Sequence, residues 1–221
     1  MKKISIKLLV VILTFNFLSC KKEQPSFTDY QFAEKTPVIT CPDTDNKLLN
    51  EALYSFEKDI VAHFDKKQLN ENRAYNFFAK QAMTRKTDVT KYASKHSVDL
   101  ATALKDAGFI AEKGVNYSNP LIPCIAENMN KDDIKTTFKA LVSTNSLKKE
   151  LFKPALQTKI HRIQADNYLS MYVALEYFYA EILKTDFTNV DFNRTETAKT
   201  QTKINVDNNK KVDFNKRPRK Q

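Results

Sequence analysis

The chain has 221 residues, a formal net charge of +10, three cysteines, no tryptophan and two glycines. With only Gly108 and Gly114, it cannot build a Walker loop, a dinucleotide fingerprint or a G-x-S-x-G nucleophile elbow, each of which needs several glycines at fixed spacing. The positive charge does not describe a nucleic-acid-binding face: three of the ten net charges fall in residues 1–19 and four in residues 185–221, leaving +3 for residues 20–184.

The chain opens with "MKKISIK", three lysines and no acid, followed by "LLVVILTFNFL", apolar apart from Thr14 and Asn16. A positive start and an apolar run of about 7–15 residues read as a secretory signal. The run falls short of the roughly 20 residues that a membrane-spanning helix needs. In "FLSC" the small Ser19 precedes Cys20. This stretch resembles the lipobox of bacterial lipoproteins, with Phe17 where Leu is usual. The resemblance covers the first twenty residues. It implies that residues 1–19 are removed and that Cys20 becomes a lipidated N-terminus, making the membrane a partner. Each buried acyl CH₂ contributes about 0.8 kcal/mol to anchoring. Lys21, where inner-membrane lipoproteins tend to carry Asp, implies the outer membrane, with the side undetermined. The alternative is an ordinary signal peptide cleaved nearby.

Residues 20–40 contain Pro25 and Pro37, show no sustained period and read as a lipidated tether. An all-α domain, a bundle of about five to seven helices, is expected over residues 41–186. Low glycine and abundant Ala, Leu, Lys and Glu favour helices. Asp43, Thr44 or Asp45 can cap a first helix whose Leu49, Leu53, Phe56, Ile60 and Phe64 share one stripe. "NENRAYNFFAKQAMTR" predicts a second, with Ala74, Phe77, Phe78 and Ala82 inward. Residues 88–107 predict a third that breaks near Ser97 and stops at Gly108. "EKGVNYSNPLIP" reads as a loop and "CIAENM" as a short helix. "DDIKTTFKALV" reads as a helix with acids at its start, which suit the helix dipole. Ser146 can cap a further turn, Pro154 can open the next helix, and Asp166 can cap a fresh one. The segment from Tyr168 to Leu183 is apolar almost all round, which marks a helix buried at the centre of the bundle.

From residue 187 the tail is basic and rich in Asn, Thr and Lys, with a crude repeat in "NVDFN", "NVDNN" and "KVDFN". It reads as a largely disordered segment. Strand-like motifs that add to a partner's sheet edge, or a hairpin, are the alternatives. Its last twelve residues carry six basic groups and one acid, which favours contact with an anionic surface.

Candidate chemistry is sparse. If Cys20 is lipidated, Cys41 and Cys124 remain, and outside the cytoplasm they are expected to form a disulfide; two separate thiols are the alternative. No cofactor motif is present, and no metal site is expected: "DTDNKLLNEALY" begins like a calcium loop but carries Lys47, Leu48 and Tyr54 at ligand and glycine places. His63 and Glu176 each project within the apolar arc of a predicted helix, as candidate buried polar groups needing partners. They could serve each other or bond a tyrosine of the 168–183 helix. Tyr168, Tyr172 and Tyr179 share a stripe that reads as core packing, or as the wall of a ligand groove. His161 lies off its stripe, and His96 sits where the third helix is expected to break.

These features point to a membrane-anchored lipoprotein of the cell envelope with a non-enzymatic helical binding domain and an envelope protein as its partner. The alternatives are a small-ligand or metal-binding helical domain, and an immunity or inhibitor lipoprotein.

Overall fold

The computed structural model describes residues 27–84, 87–130 and 132–195. Cys20, the signal region and the tail repeats past residue 195 lie outside these. The described chain is mostly helical: α1 Asn46–Phe64, α2 Glu71–Met83, α3 Lys95–Asp106, α4 Leu121–Asn128, α5 Asp133–Ser143, α6 Lys149–Thr158 and α7, which begins at Asn167–Ala174. The last continues through a π-helical turn, Leu175–Tyr179, into a closing α-turn, Ala180–Ile182. We refer to the continuous rod 167–182 as α7.

Five of the seven helices, all but α4 and α6, start at a side-chain cap. Asp45 accepts the Leu48 amide at α1, Asn70 accepts the Arg73 amide at α2, and Asp132 accepts those of Ile134 and Lys135 at α5. Asp166 accepts the Tyr168 and Leu169 amides, so α7 is a fresh helix, and its second carboxylate oxygen takes the Asn130 amide at 2.7 Å. The third helix does not break at Ser97. Ser94 caps α3 instead, and Ser97 is buried with its hydroxyl 2.7 Å from that of Ser55 on α1. At the other end, Gly108 adopts φ +79°, the Phe109 amide reaches back to the Leu104 carbonyl and the Gly108 amide to that of Lys105. That is a Schellman stop, which glycine's freedom at positive φ allows.

Three further expectations change. Ser146 does not cap a helix, and α6 starts at Lys149 with no side-chain cap. Pro154 lies within α6 instead of opening it, where its missing N–H leaves the Glu150 carbonyl without the usual bond. Phe77 faces solvent at 44 % exposure near Arg73, while Tyr75 and Ala79 join Ala74, Phe78 and Ala82 in the core. A minimal hairpin opens the expected loop: β1 Ile110–Ala111 just precedes it and β2 Gly114–Val115 lies within it, with Ile110 facing Val115 and Ala111 facing Gly114.

α7 is the centre. α1 packs against α2, α3 and α7, and α4 joins α7 to α5, which in turn carries α6. Two aromatic clusters flank the rod. Phe56, Phe78, Tyr92 and Phe178 meet on one side; Phe138, Phe152 and Tyr172 form a mutually edge-on trio on the other. Edge-on rings set positive rim against negative face.

Residues 27–40, expected as tether, pack onto the domain as a strap. Ile39 is fully buried. Asn50 of α1 accepts the Val38 and Ile39 amides and returns a bond to the Ile39 carbonyl. Tyr54 donates to the Thr36 carbonyl. The strap's end is joined to α4 by the Cys41–Cys124 disulfide, with Cα atoms 5.8 Å apart and a sequence separation of 83. Closing a loop of that length removes denatured-state entropy equivalent to about 4.5 kcal/mol on the chain-entropy model. Paired Cys41→Ser and Cys124→Ser substitutions should therefore lower the urea midpoint substantially, by a free energy approaching that figure. An unchanged midpoint would contradict a bridge that constrains the unfolded chain.

Candidate functional site

The side chains of α7 point inward on every side: Leu169, Tyr172, Val173, Leu175, Phe178 and Tyr179 are fully buried. A carboxylate on such a rod costs several kcal/mol unless something receives it. Glu176, 4 % exposed, stands at the start of the π turn, a distortion frequent at functional sites. Its Oε2 accepts the Tyr117 hydroxyl at 2.7 Å. Tyr117 comes from the loop after the hairpin, outside the expected candidates. Gly114 lies beside Glu176: a Cβ there would make an ordinary contact, 3.7 Å from Glu176 Oε1, and it is the φ of +138° that suits glycine alone.

Glu176 and Gly114 lie in the wall of a cleft of about 780 Å³. The end of α2 contributes Ala82 and Met83, the hairpin Lys113 and Val115, the start of α6 Lys148, Lys149 and Lys153, and the end of the α7 region Glu181 and Lys184. Lys149 Nζ lies 3.1 Å from Glu181 Oε1 and 4.5 Å from the Tyr177 ring centre; Lys184 Nζ reaches the same oxygen at 3.3 Å. Burial pushes the Glu176 carboxyl above its ordinary value, against the pull of the Tyr117 hydrogen bond and of Lys149 and Lys184. Glu181 goes the other way: its burial is outweighed by Lys149 and Lys184, which hold it below the usual range. The Tyr177 hydroxyl is buried without a hydrogen-bond partner among the described residues.

The other expected candidates fall elsewhere. His63 is half-buried, with its ring against those of Phe64 and Tyr92. Tyr172 belongs to the edge-on trio, Tyr179 donates to the Ala52 carbonyl at 2.7 Å, and Tyr168 reaches the Thr40 carbonyl at 3.3 Å. The tyrosine stripe is core packing. His161 is exposed.

A second polar cluster went unread in the sequence. Glu51 of α1 is 2 % exposed and accepts the Gln31 and Phe32 amides of the strap at 2.6 and 2.9 Å. His96 Nε2 lies 2.8 Å from Glu51 Oε1, and Nδ1 lies 3.3 Å from Asp29 of the strap. A cap at Ser97 would leave His96 outside the helix. With Ser94 as the cap, His96 enters the buried face of α3 beside Leu100. Also on α1, buried Asp59 accepts the Ser94 amide at 2.8 Å, joining two helices at the α3 cap. Burial raises its pKa to about 6, against hydrogen bonds from Ser94 and Ser97 and the charge of Lys58.

Among the described residues no group of three or more His, Cys, Asp or Glu is placed to hold a metal ion, and no helix is long and apolar enough to cross a membrane. No family model, curated protein or solved structure matches the chain. The cleft over Glu176 can hold a ligand by charge and hydrogen bonding; the Glu51–His96 cluster is filled by the strap.

Asp59 gives a test in solution. The folded carboxyl titrates near 6 and the unfolded one near 3.8, so the fold holds this proton more tightly. The stabilisation is complete below 3.8 and is lost as the pH rises through 6, a difference of about 3 kcal/mol. Asp59→Asn keeps an acceptor for the Ser94 amide and removes the titration. Urea unfolding from pH 4 to 7 should show Asp59→Asn gaining stability over wild type by up to about that amount as the pH rises. A constant difference across that window would contradict it.

Proposed function

We propose that the chain is a lipid-anchored lipoprotein of the bacterial cell envelope, held in the outer membrane through Cys20, and that its helical domain is a binding module whose ligand site is the cleft over Glu176. The observation that carries the binding half is a buried carboxylate in the wall of a lysine-rich cleft. Clefts of about 300–1,000 Å³ with a few convergent polar groups and perturbed titration are the usual form of small-ligand sites. The Cys41–Cys124 disulfide supports the envelope half, because such bonds persist in oxidising compartments.

The strap sharpens what anchoring would mean. The first described residue is Phe27, whose ring lies against those of Tyr30 and His96. Six residues lie between it and Cys20, and the seven Cα-to-Cα steps span no more than about 25 Å at full extension. On this reading the domain rides close to the bilayer surface. The long leash expected from residues 20–40 is mostly taken up by the fold.

Fractionation tests the anchor. The wild-type protein should sediment with membranes, and its N-terminal peptide should begin at an acylated Cys20. Cys20→Ala should appear in the soluble fraction, because one thiol's loss removes the acyl chains. If Cys20→Ala sediments with membranes as wild type does, the lipoprotein reading fails.

A further inference from the structure

We propose that the cleft over Glu176 takes a small anionic polyol, a phosphorylated or carboxylated sugar whose acid group meets the lysines and whose hydroxyls meet the Glu176 side of the cleft. This rests on reading the cleft as a binding site, and names the chemistry it selects.

Charge gives the first argument. Five lysines line the cleft against Glu150, Glu176 and Glu181. Glu181 already holds Lys149 and Lys184, while Lys113, Lys148 and Lys153 make no ion pair among the described residues. Those three come from two separate elements, the hairpin and the start of α6, so their charge converges on the cleft rather than running along one solvated face. The second argument is the backbone. α6, ten residues long, begins in the cleft wall at Lys149 with no side-chain cap. Its first amides carry the positive end of the helix dipole and lack the partner that a capping residue would give.

Hydrogen bonding gives the third argument, and it separates this site from a bare anion trap. Glu176 has one oxygen committed to Tyr117 and its other on the Gly114 side, and Tyr177 lies in the same cleft wall with a buried hydroxyl that has no hydrogen-bond partner among the described residues. Buried polar groups of this kind are costly until something bonds them. A hydroxyl suits them, since it both donates to a carboxylate and accepts from a phenol. An ammonium would also be drawn to Glu176, but it would enter a cleft where Lys149 and Lys184 already bear on that carboxylate. Met83, Ala82 and Val115 supply an apolar wall for the C–H face of a ring.

The test is calorimetry on the mature, disulfide-bonded full-length protein in detergent, with glucose 6-phosphate, glucuronate, glucose, glucosamine 6-phosphate and inorganic phosphate as probes. Glucose 6-phosphate and glucuronate should bind, with glucose and inorganic phosphate at least about tenfold weaker, the loss expected on removing charged hydrogen bonds or the hydroxyl contacts. Paired Lys148→Glu and Lys153→Glu should weaken both acidic sugars by at least about tenfold. Lys66→Glu, beyond the end of α1, should leave them unchanged. Inorganic phosphate binding as tightly as glucose 6-phosphate would overturn the proposal, leaving an anion site alone. Tighter binding of glucosamine 6-phosphate would overturn it by placing an ammonium at Glu176, and so would indifference to the paired lysine reversals. Native mass spectrometry of protein taken from membranes separates the two levels of the claim. A bound molecule of another chemistry, expelled by Ala111→Trp in the cleft wall, would overturn the ligand class and keep the cleft as a binding site. No bound molecule and no probe binding would overturn both.

Discussion

Burial of α7 on every side is the constraint from which the rest follows. A helix without a solvent face needs neighbours all round, and α1 to α6 with the hairpin supply them. It also forces any polar side chain on the rod to find a partner indoors. Ser170 does so by donating to the Ile163 carbonyl, and Tyr179 by donating to that of Ala52. Glu176 cannot be satisfied by one neutral hydroxyl alone, because a carboxylate accepts several bonds and carries charge. The structure brings Tyr117 to it, approaches it with glycine backbone, and leaves a cleft on that side with lysines around it. The cleft is thus the place where the rod's all-round burial is incomplete.

The N-terminal strap and the disulfide work on the opposite side of the economy of the fold: they secure the chain's beginning. Glu51 and Asn50, one helical residue apart on α1, hold four strap amides between them, and His96 locks Glu51 from α3. A force entering through residue 27 meets hydrogen bonds to α1 first and then a covalent link to α4. The strap thus ties the start of the described chain to the same helices that pack α7, which is what the proposed anchor ahead of it would require.

Much of this was legible in sequence, for physical reasons. The 3.6-residue period revealed α1, and the near-total apolarity of 168–183 revealed the buried rod. Asp166, Asp45 and Gly108 act as the cap and stop residues their chemistry suggests, and the expected pairing of Cys41 with Cys124 is the one the structure has. The errors share a cause: local signals were ambiguous between neighbours. Ser97 and Ser94 are both competent caps, and choosing the wrong one hid His96. Phe77 and Phe78 are adjacent apolar residues, of which only Phe78 can face the core. Prolines in the strap looked like tether punctuation, because the bonds that fix this strap come from Asn50, Glu51 and Tyr54, whose side chains give no periodic signal. Glu176 was found by its place in the apolar arc, but its partner Tyr117 lies 59 residues away across a loop, and the lysines gather from elements that only tertiary structure brings together.

The central claim is that Glu176 is a buried carboxylate, raised by desolvation and open to a lysine-lined cleft. The most direct measurement is a carbon-13 NMR titration of the glutamate side-chain carboxyls, with Glu176 assigned by its loss in Glu176→Gln. The account requires Glu176 to titrate above the ordinary glutamate value of 4.5, and higher still in Tyr117→Phe, which removes the hydrogen bond that lowers it. A Glu176 signal that titrates at or below that value, unmoved by Tyr117→Phe, would contradict the account.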